Sequence, residues 1–442
     1  MKKSILLIFL MLIAVSCDVL DVEPQSSIDA DKAFQNKKDI EKGIVGAYSY
    51  FSSLSYYGRS YAMFPDLAAD NLSHPIAATA SEYSEIDNNN ILPENGSVAG
   101  MWSVMYAGIN VTNNVISKVP GIAGMKDAEK NKALGELYFI RALNHFNLLN
   151  YFGAVPVITT PTVGVGNLDK PRNAVQDVYN QIINDLLFAA DNLSVSSNKT
   201  RTSKYAAKAL LARVYLYKGD YTKAQSLATE VIEAGGYTLL GNYADVFASD
   251  ESSESIFEIY FSQIERNRIA EYNFPTSLNG RREVEPDASL LSAYETGDKR
   301  YGASIAFEGT SAYAIKYDDL SLGADNFIVL RLSEMYLIRA EAEANKTSPN
   351  VGQIQSDINK IRNRANLSST SETSVPQLLK IIEKERRVEF AFEGHRWFDL
   401  VRTGRAIAVL PNVKSLNQTL FPIPTDEIQT NNDPGMTQNP GY

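Results

Sequence analysis

Glu385, Glu389 and Glu393 recur every four residues, and Arg386, Arg396 and Arg402 stand three residues from Glu389, Glu393 and Asp399. On a helix this spacing lines the carboxylates along one face, each within reach of a guanidinium. Two facing carboxylates can act as acid and base in glycoside hydrolysis. The acid, however, must keep its proton near neutral pH, and adjacent arginines hold both carboxylates ionised. The run therefore reads as structural ion pairing. The three histidines, His74, His145 and His395, are widely separated, with no H-x-x-x-H or C-x-x-C pattern. Glycine-rich phosphate loops are also missing. No catalytic residue, metal ligand or cofactor is expected.

A different chemistry fits other residues. Sugar rings stack their C–H faces on aromatic side chains, while Asp, Asn and Arg meet the hydroxyls in planar, often bidentate fashion. The stretch 55–102 supplies that mixture. Its candidate ligand contacts are Arg59, Asp66, Asp70, Asn71, Tyr83 and Trp102, with Tyr56, Tyr57 and Tyr61 alongside. A second patch spans Arg281, Arg282, Glu283, Tyr294, Asp298, Arg300, Tyr301 and Lys316; within it Tyr313 and Tyr317 are the better candidates.

Cys17 is the one cysteine in 442 residues, so no intramolecular disulfide can form. It follows a basic Lys2-Lys3 and an apolar run from Ile5 to Val15, too short to span a bilayer and laid out like a secretory signal. Ala14-Val15-Ser16-Cys17 resembles a lipoprotein cleavage box, with Ala14 where Leu is usual. This predicts a signal peptide over 1–16, lipidation of Cys17 and a tether over 17–27. Diacylglycerol plus an N-acyl chain suffices for stable anchoring where one chain alone is marginal. Processing removes Lys2 and Lys3 and no acid, so the net charge moves from -10 to -12. Such acidity argues against nucleic acid as a partner.

The remaining chain, 28–442, reads as one domain. Helical spacing predicts helices over Ala30–Phe51, Val98–Val119, Lys130–Phe152, Val175–Leu193, Lys204–Lys218, Thr222–Ala234 and Gln377–Val401, with Asp29 or Asp31 as first N-cap. Residues 52–99 show no sustained period and read as a long loop. Residues 235–326 read as loop-rich, with strands at Glu254–Phe261 and Tyr313–Tyr317. Leu211, Ala212, Tyr215, Gly219, Asp220, Tyr221 and Ala224 follow the large–small–aromatic–turn order of a tetratricopeptide unit. Weaker copies pair Leu134–Leu149 with Val175–Ala190 and Leu330–Ala344 with Gln353–Ala365.

Five stretches, in order, resemble the SusD/RagB family of outer-membrane nutrient-binding lipoproteins. They are Cys17 to Pro24; Gly135 to Ala142, continuing through Tyr151 to Pro156; Leu330 to Ala342; Glu385 to Phe390 with Glu393 to Arg402; and Phe421 to Pro424 with Glu427-Ile428 and Gln438 to Tyr442. The resemblance implies a mostly α, SusD-like fold: four tetratricopeptide-like helical hairpins plus a loop-rich ligand-binding face with small β elements. It implies an outer-membrane protein, lipid-anchored and facing the cell exterior. Such a protein captures a nutrient, usually an oligosaccharide, and passes it without catalysis to a SusC-like TonB-dependent transporter. Peptide capture, as in RagB-like subunits, and a purely structural tetratricopeptide scaffold are the alternatives. The family's Asp-Lys-Arg motif matches Asp298-Lys299-Arg300, which marks those residues as structural.

Overall fold

The computed structural model describes residues 33–442 apart from 163, 165 and 167. The segment 1–16, Cys17 and the tether 17–27 lie outside the described residues.

Helix α1, Lys37–Ser49, is capped by Asn36, whose side chain accepts from the backbone N–H groups of Lys38 and Asp39. The stretch after it is not the loop that its lack of period suggests. It folds into α2, Ser60–Leu67, and α3, Ser81–Asp87, with the two-residue strand β1, Leu72–Ser73, between them. All eight residues of α2 are buried, so it has no polar face for a period to reveal. Asn147 ties this segment to the helical scaffold. It donates to the hydroxyls of Tyr56 and Tyr57, at 2.6 and 2.9 Å, and accepts from that of Tyr61 at 2.8 Å.

The scaffold runs through α4, Gly96–Lys118; α5, Asp127–Phe152; α6, Val175–Asn192; α7, Lys204–Lys218; and α8, Tyr221–Ala234. It continues with α9, Leu332–Ala344; α10, Val351–Arg364; and α11, Val375–Glu389. Each helix from α4 to α10 packs on the next, and α11 closes the end against α9 and α10. The α7–α8 turn shows why. Gly219 sits at φ 82°, a left-handed conformation that closes the helix. The Asp220 side chain then accepts from the Lys223 N–H to start α8. Ala212, Ala224 and Ala228 are fully buried, so their small side chains let the two helices approach. The core runs from Ile40 to Met436, with a smaller cluster of Ala340, Ala344, Ile354, Ile358, Leu378 and Ile382 under the last helices.

Among the described residues, three antiparallel strand pairs brace the other side. β1 pairs with β3, Glu285–Pro286; β2, Ser255–Ile259, pairs with β6, Phe327–Arg331; and β4, Ile305–Glu308, forms a hairpin with β5, Ser311–Ala314. Leu330 therefore belongs to a strand, and α9 starts only at Leu332. Tyr317 lies beyond β5, stacked on Phe327 with ring centroids 5.1 Å apart.

The long C-terminal helix expected over Gln377–Val401 is broken. α11 ends at Glu389, and a turn with Phe392 at φ 68° and Gly394 at φ 76° leads into α12, Arg396–Arg402. The break redirects the charges. Arg402 keeps its expected partner Asp399, at 2.8 Å, but Arg386 pairs with Asp399 rather than Glu389, and Arg396 with Asp70 rather than Glu393. Glu389 instead meets Arg331 at 2.6 Å, Arg300 at 3.3 Å and Arg364, while Glu393 meets Arg331 and Lys316, both at 2.7 Å. Burial alone would raise the Glu389 carboxyl, but Arg364, Arg331 and Arg300 together hold it well below the usual carboxylate range.

Asp66 pins α2 to that same turn. It accepts from the Asn71 amide at 2.6 Å and from the Gly394 N–H at 3.1 Å. Burial pushes its carboxyl up to about 7, with those hydrogen bonds working the other way.

Two predictions follow from these buried groups. Glu389→Gln should cost about 3–5 kcal/mol in urea unfolding, because three guanidiniums lose their shared counter-charge. Since the folded carboxyl lies below its ordinary value of 4.5, its contribution is present above that pH and fades as pH falls, so the variant should also lose less stability on acidification. Asp66 acts in the opposite sense. Its folded carboxyl lies above the ordinary 3.8, so its stabilising contribution is complete below that pH and is lost as pH rises through about 7. Unfolding free energies of Asp66→Asn and of the natural chain, measured from pH 4 to 8, should differ by an amount that changes up to about pH 7 and then levels. A constant offset would contradict a titrating Asp66.

Candidate functional site

Trp102, Tyr106 and Asn110 stand one turn apart along α4, so they share one face of it. Opposite them lie described residues of the strap between α5 and α6, among them Pro156, Ile158, Thr162 and Lys170. The short helix α13, Thr425–Thr430, closes one end with Glu427, next to Asn431. Together they line a groove of about 530 Å³.

The rings of Trp102 and Tyr106 lie 4.9 Å apart at 50°, and Phe152 meets Trp102 edge-on from behind at 5.0 Å. Trp102 is only 4% exposed, so half-buried Tyr106 shows the groove more of its surface. The indole Nε1 of Trp102 donates to Glu427 at 3.2 Å, and the Asn431 amide donates to the same carboxylate at 2.9 Å. The Tyr106 hydroxyl donates to the Pro156 carbonyl at 2.9 Å, and burial keeps that phenol neutral. Asn110 accepts from the Thr162 N–H at 2.9 Å, fixing the strap to α4. The result is a pair of aromatic rings beside a carboxylate and two carboxamides, all held in place. That set can stack on an apolar ring face and bond the hydroxyls around it.

The other candidates from sequence are not gathered here. Asp66 and Asn71 are fully buried and bonded to each other. Asp70 is taken by Arg396 at 2.6 Å and Arg387 at 3.2 Å. Tyr83 is 2% exposed, packed edge-on against Phe64. Tyr317 is 3% exposed and its hydroxyl accepts from the Ile328 N–H. Asp66, Asp70, Asn71 and Tyr83 are engaged in the interior because the segment expected to be a loop packs as α2, β1 and α3, whereas Tyr317 is held against β6. Tyr313 is half-buried on β5, 4.9 Å from Phe274. Arg59 lies on a separate face, where its guanidinium and that of Arg281 clamp the ring of Tyr272 at 4.8 and 4.7 Å. Both also donate to the Tyr272 hydroxyl, at 2.7 and 3.2 Å. Arg300 and Lys316 of the second patch are buried in the ion network.

Sequence reasoning missed Tyr106, Asn110, Glu427 and Asn431. The first two carry a readable signal, one and two helical turns beyond Trp102. Glu427 stands in a stretch that carries the family resemblance, but nothing local marks it or Asn431 as a groove residue, since both reach the groove through a tail more than 300 residues away.

Two of the three histidines, His145 and His395, lie in the interior. His145 bonds the Arg141 carbonyl through Nδ1 at 3.1 Å and accepts from the Ile158 N–H through Nε2 at 3.3 Å. Burial, then the nearby Arg141 charge, pushes its imidazole down to about 3. His395 is likewise driven low by burial. Among the described residues no group of His, Cys, Asp and Glu is placed to hold a metal ion.

Two family models match: one described as "Starch-binding associating with outer membrane" over residues 18–216, and the SusD family model over 310–410. A SusD-like protein P38 from Formosa agariphila is 27% identical, aligned over 100% of this chain and 99% of its own. The starch-binding protein SusD from Bacteroides thetaiotaomicron is 25% identical over 72% of this chain and 74% of its own. A solved laminarin-binding SusD-like protein superposes with TM-score 0.83 at 27% identity, over 92% of this chain and 100% of that one. With the helical scaffold, the three small strand pairs and these matches in agreement, the chain belongs to the SusD/RagB family.

Proposed function

We propose that this chain is a cell-surface binding subunit that captures an oligosaccharide and passes it, unmodified, to a SusC-like TonB-dependent transporter. The observation that carries the reading is the groove in which Trp102 and Tyr106 stand beside Glu427, Asn431 and Asn110. Relatives named for starch and laminarin binding support a glycan as the occupant. Glu385, Glu389 and Glu393 offer no catalytic pair, since every one of them is engaged by buried arginine or lysine. Binding in an open groove through a few contacts should be of modest affinity and should rise with glycan chain length.

No described helix is long and apolar enough to cross a membrane. The proposed attachment is a lipid on Cys17, as the Ala14-Val15-Ser16-Cys17 box suggests, followed by the short tether 17–27, with the protein facing outward from the outer membrane.

Calorimetry of the processed protein against a panel of glycans and peptides tests the ligand class, and a panel on which only peptides bind would overturn the carbohydrate reading. Trp102→Ala should weaken glycan binding about tenfold, roughly 1.4 kcal/mol, because it removes the ring that packs on Tyr106 and a donor that fixes Glu427. Glu427→Ala, which leaves the rings in place, should weaken it too. Undiminished affinity in both variants would remove the site assignment while leaving glycan capture standing. Cys17→Ala should move the protein from the membrane to the soluble fraction, and its retention in the membrane would contradict lipid anchoring.

A further inference from the structure

The wall of the α4 groove that faces Trp102 and Tyr106 has no regular structure of its own. From Pro156 to Thr162 the strap belongs to no helix or strand. Such a segment still has to satisfy its backbone N–H and C=O groups. Here buried side chains of α4 and α5 do so. Asn113, fully buried on α4, donates to the carbonyls of Ile158 and Thr160, at 3.0 and 3.4 Å. His145, fully buried on α5, accepts from the Ile158 N–H at 3.3 Å. Arg141, one turn before His145, donates to the Thr159 carbonyl at 3.3 Å. Ile158 and Thr160 themselves line the groove.

The orientation of each side chain is dictated from behind. Asp185 holds the Arg141 guanidinium by its Nε and Nη2, at 2.8 and 2.7 Å. The remaining Nη1 donates to Asn113 Oδ1 at 2.9 Å. A guanidinium only donates, so the oxygen of Asn113 must face it and the NH2 group must face the strap. His145 follows the same logic. Its Nδ1 lies 3.1 Å from the Arg141 carbonyl, which only accepts, so Nδ1 carries the proton and Nε2 is left to accept from Ile158. The imidazole stays neutral near pH 7, because burial and then the Arg141 charge push it down to about 3. The relay from Asp185 through Arg141 to Asn113, with His145 beside it, thus fixes Ile158, Thr159 and Thr160 in succession.

We propose that Asn113 and His145 are positioning residues that set the width of the α4 groove and, through it, the affinity for the glycan. The inference rests on the reading of this groove as the glycan site. Both side chains are fully buried and neither lines the groove, so each acts only through the strap. Asn113 stands three residues beyond Asn110, close to the stripe that carries Trp102 and Tyr106. The helix that presents the rings therefore also sets the distance to the opposite wall. A wall fixed before the ligand arrives spares binding the entropy cost of ordering it. Releasing the strap should weaken binding although no ligand contact has been deleted.

The test changes these two residues in the whole processed chain, held in detergent micelles. Asn113→Asp keeps the shape and the acceptor for Arg141, but turns a charged oxygen toward the Ile158 and Thr160 carbonyls, which repel it. His145→Phe removes the acceptor for Ile158. His145→Gln, whose amide oxygen can take the place of Nε2, restores one. Hydrogen–deuterium exchange should be faster over 156–162 in Asn113→Asp and His145→Phe, and should return toward the natural rate in His145→Gln. Calorimetry against hexasaccharides of glucose, mannose, galactose and xylose should show affinity about fivefold to tenfold lower in the first two variants, partly recovered in the third. Asp357→Asn is the comparison. It strips Arg339 of the carboxylate that holds it at 2.8 and 2.7 Å between α9 and α10, neither of which lines the groove. It should cost stability and leave both readouts as they are. Unchanged affinity in Asn113→Asp and His145→Phe overturns the inference alone, as does an equal loss in Asp357→Asn, which would trace the effect to stability. A natural chain that binds none of the hexasaccharides removes the reading of the groove, and the inference with it.

Discussion

Arg331 is the point through which the two halves of the molecule are held together. It stands at the end of β6, fully buried, and reaches Glu254 before β2, Glu389 at the end of α11 and Glu393 in the turn beyond. Arg364 from α10 and Arg300 from the sheet side converge on the same Glu389. A carboxylate surrounded in this way cannot lose one partner without stranding the rest in a low-dielectric interior, where an uncompensated charge is costly. The cluster is weak evidence for net stability, since apolar residues could fill the same space. It is better understood as a registry device. Only one mutual placement of β2–β6, α10, α11 and the 390–395 turn satisfies every charge.

That placement has consequences at a distance. The turn fixed by Glu393 presents the Gly394 N–H to Asp66, which holds α2; Asp70 just beyond is fixed by Arg396 of α12. The aromatic cluster of Tyr56, Tyr57 and Tyr61 then packs against α5 through Asn147. On the far side of α5, Phe152 supports Trp102 from behind. Most of these links are contacts between buried groups, so the groove beside α4 is backed by the packed interior.

Features set by neighbours in sequence were legible, and features set by distant partners were not. Ala212, Gly219 and Ala224 announce a close helix pair because small residues at those spacings have a local geometric meaning. β2 was visible in its run of apolar residues. The run Glu385–Arg402 reads as structural, since an arginine beside a carboxylate holds it ionised. Its actual partners stayed hidden because Phe392 and Gly394 break the helix that would have made them i, i+3 pairs. Asp66 and Asn71 looked like ligand contacts because polar residues in a stretch without period suggest an exposed loop. Their burial is decided by Gly394 and Arg387, some 300 residues later. Trp102 was visible as a rare aromatic, yet the carboxylate that completes its surroundings arrives from the C-terminal tail.

The engagement of Trp102 with Glu427 also constrains what the groove can select. A ligand that merely covers the indole gains little, because the ring is nearly buried already. One that offers a hydroxyl to Glu427 competes with two existing donors, Trp102 Nε1 and the Asn431 amide. A carboxylate has about four acceptor sites, so one more donor can be added without breaking either bond, provided it approaches from the open side. The groove therefore favours ligands whose hydroxyl lies in the carboxylate plane while an adjacent apolar ring face meets Tyr106. Both demands fall on neighbouring atoms of one sugar ring. An extended peptide brings a flat amide and a flexible side chain from separate centres and meets them less readily. This stereochemical coupling, more than the aromatic area on offer, is the reason for proposing a glycan as the occupant of the α4 groove.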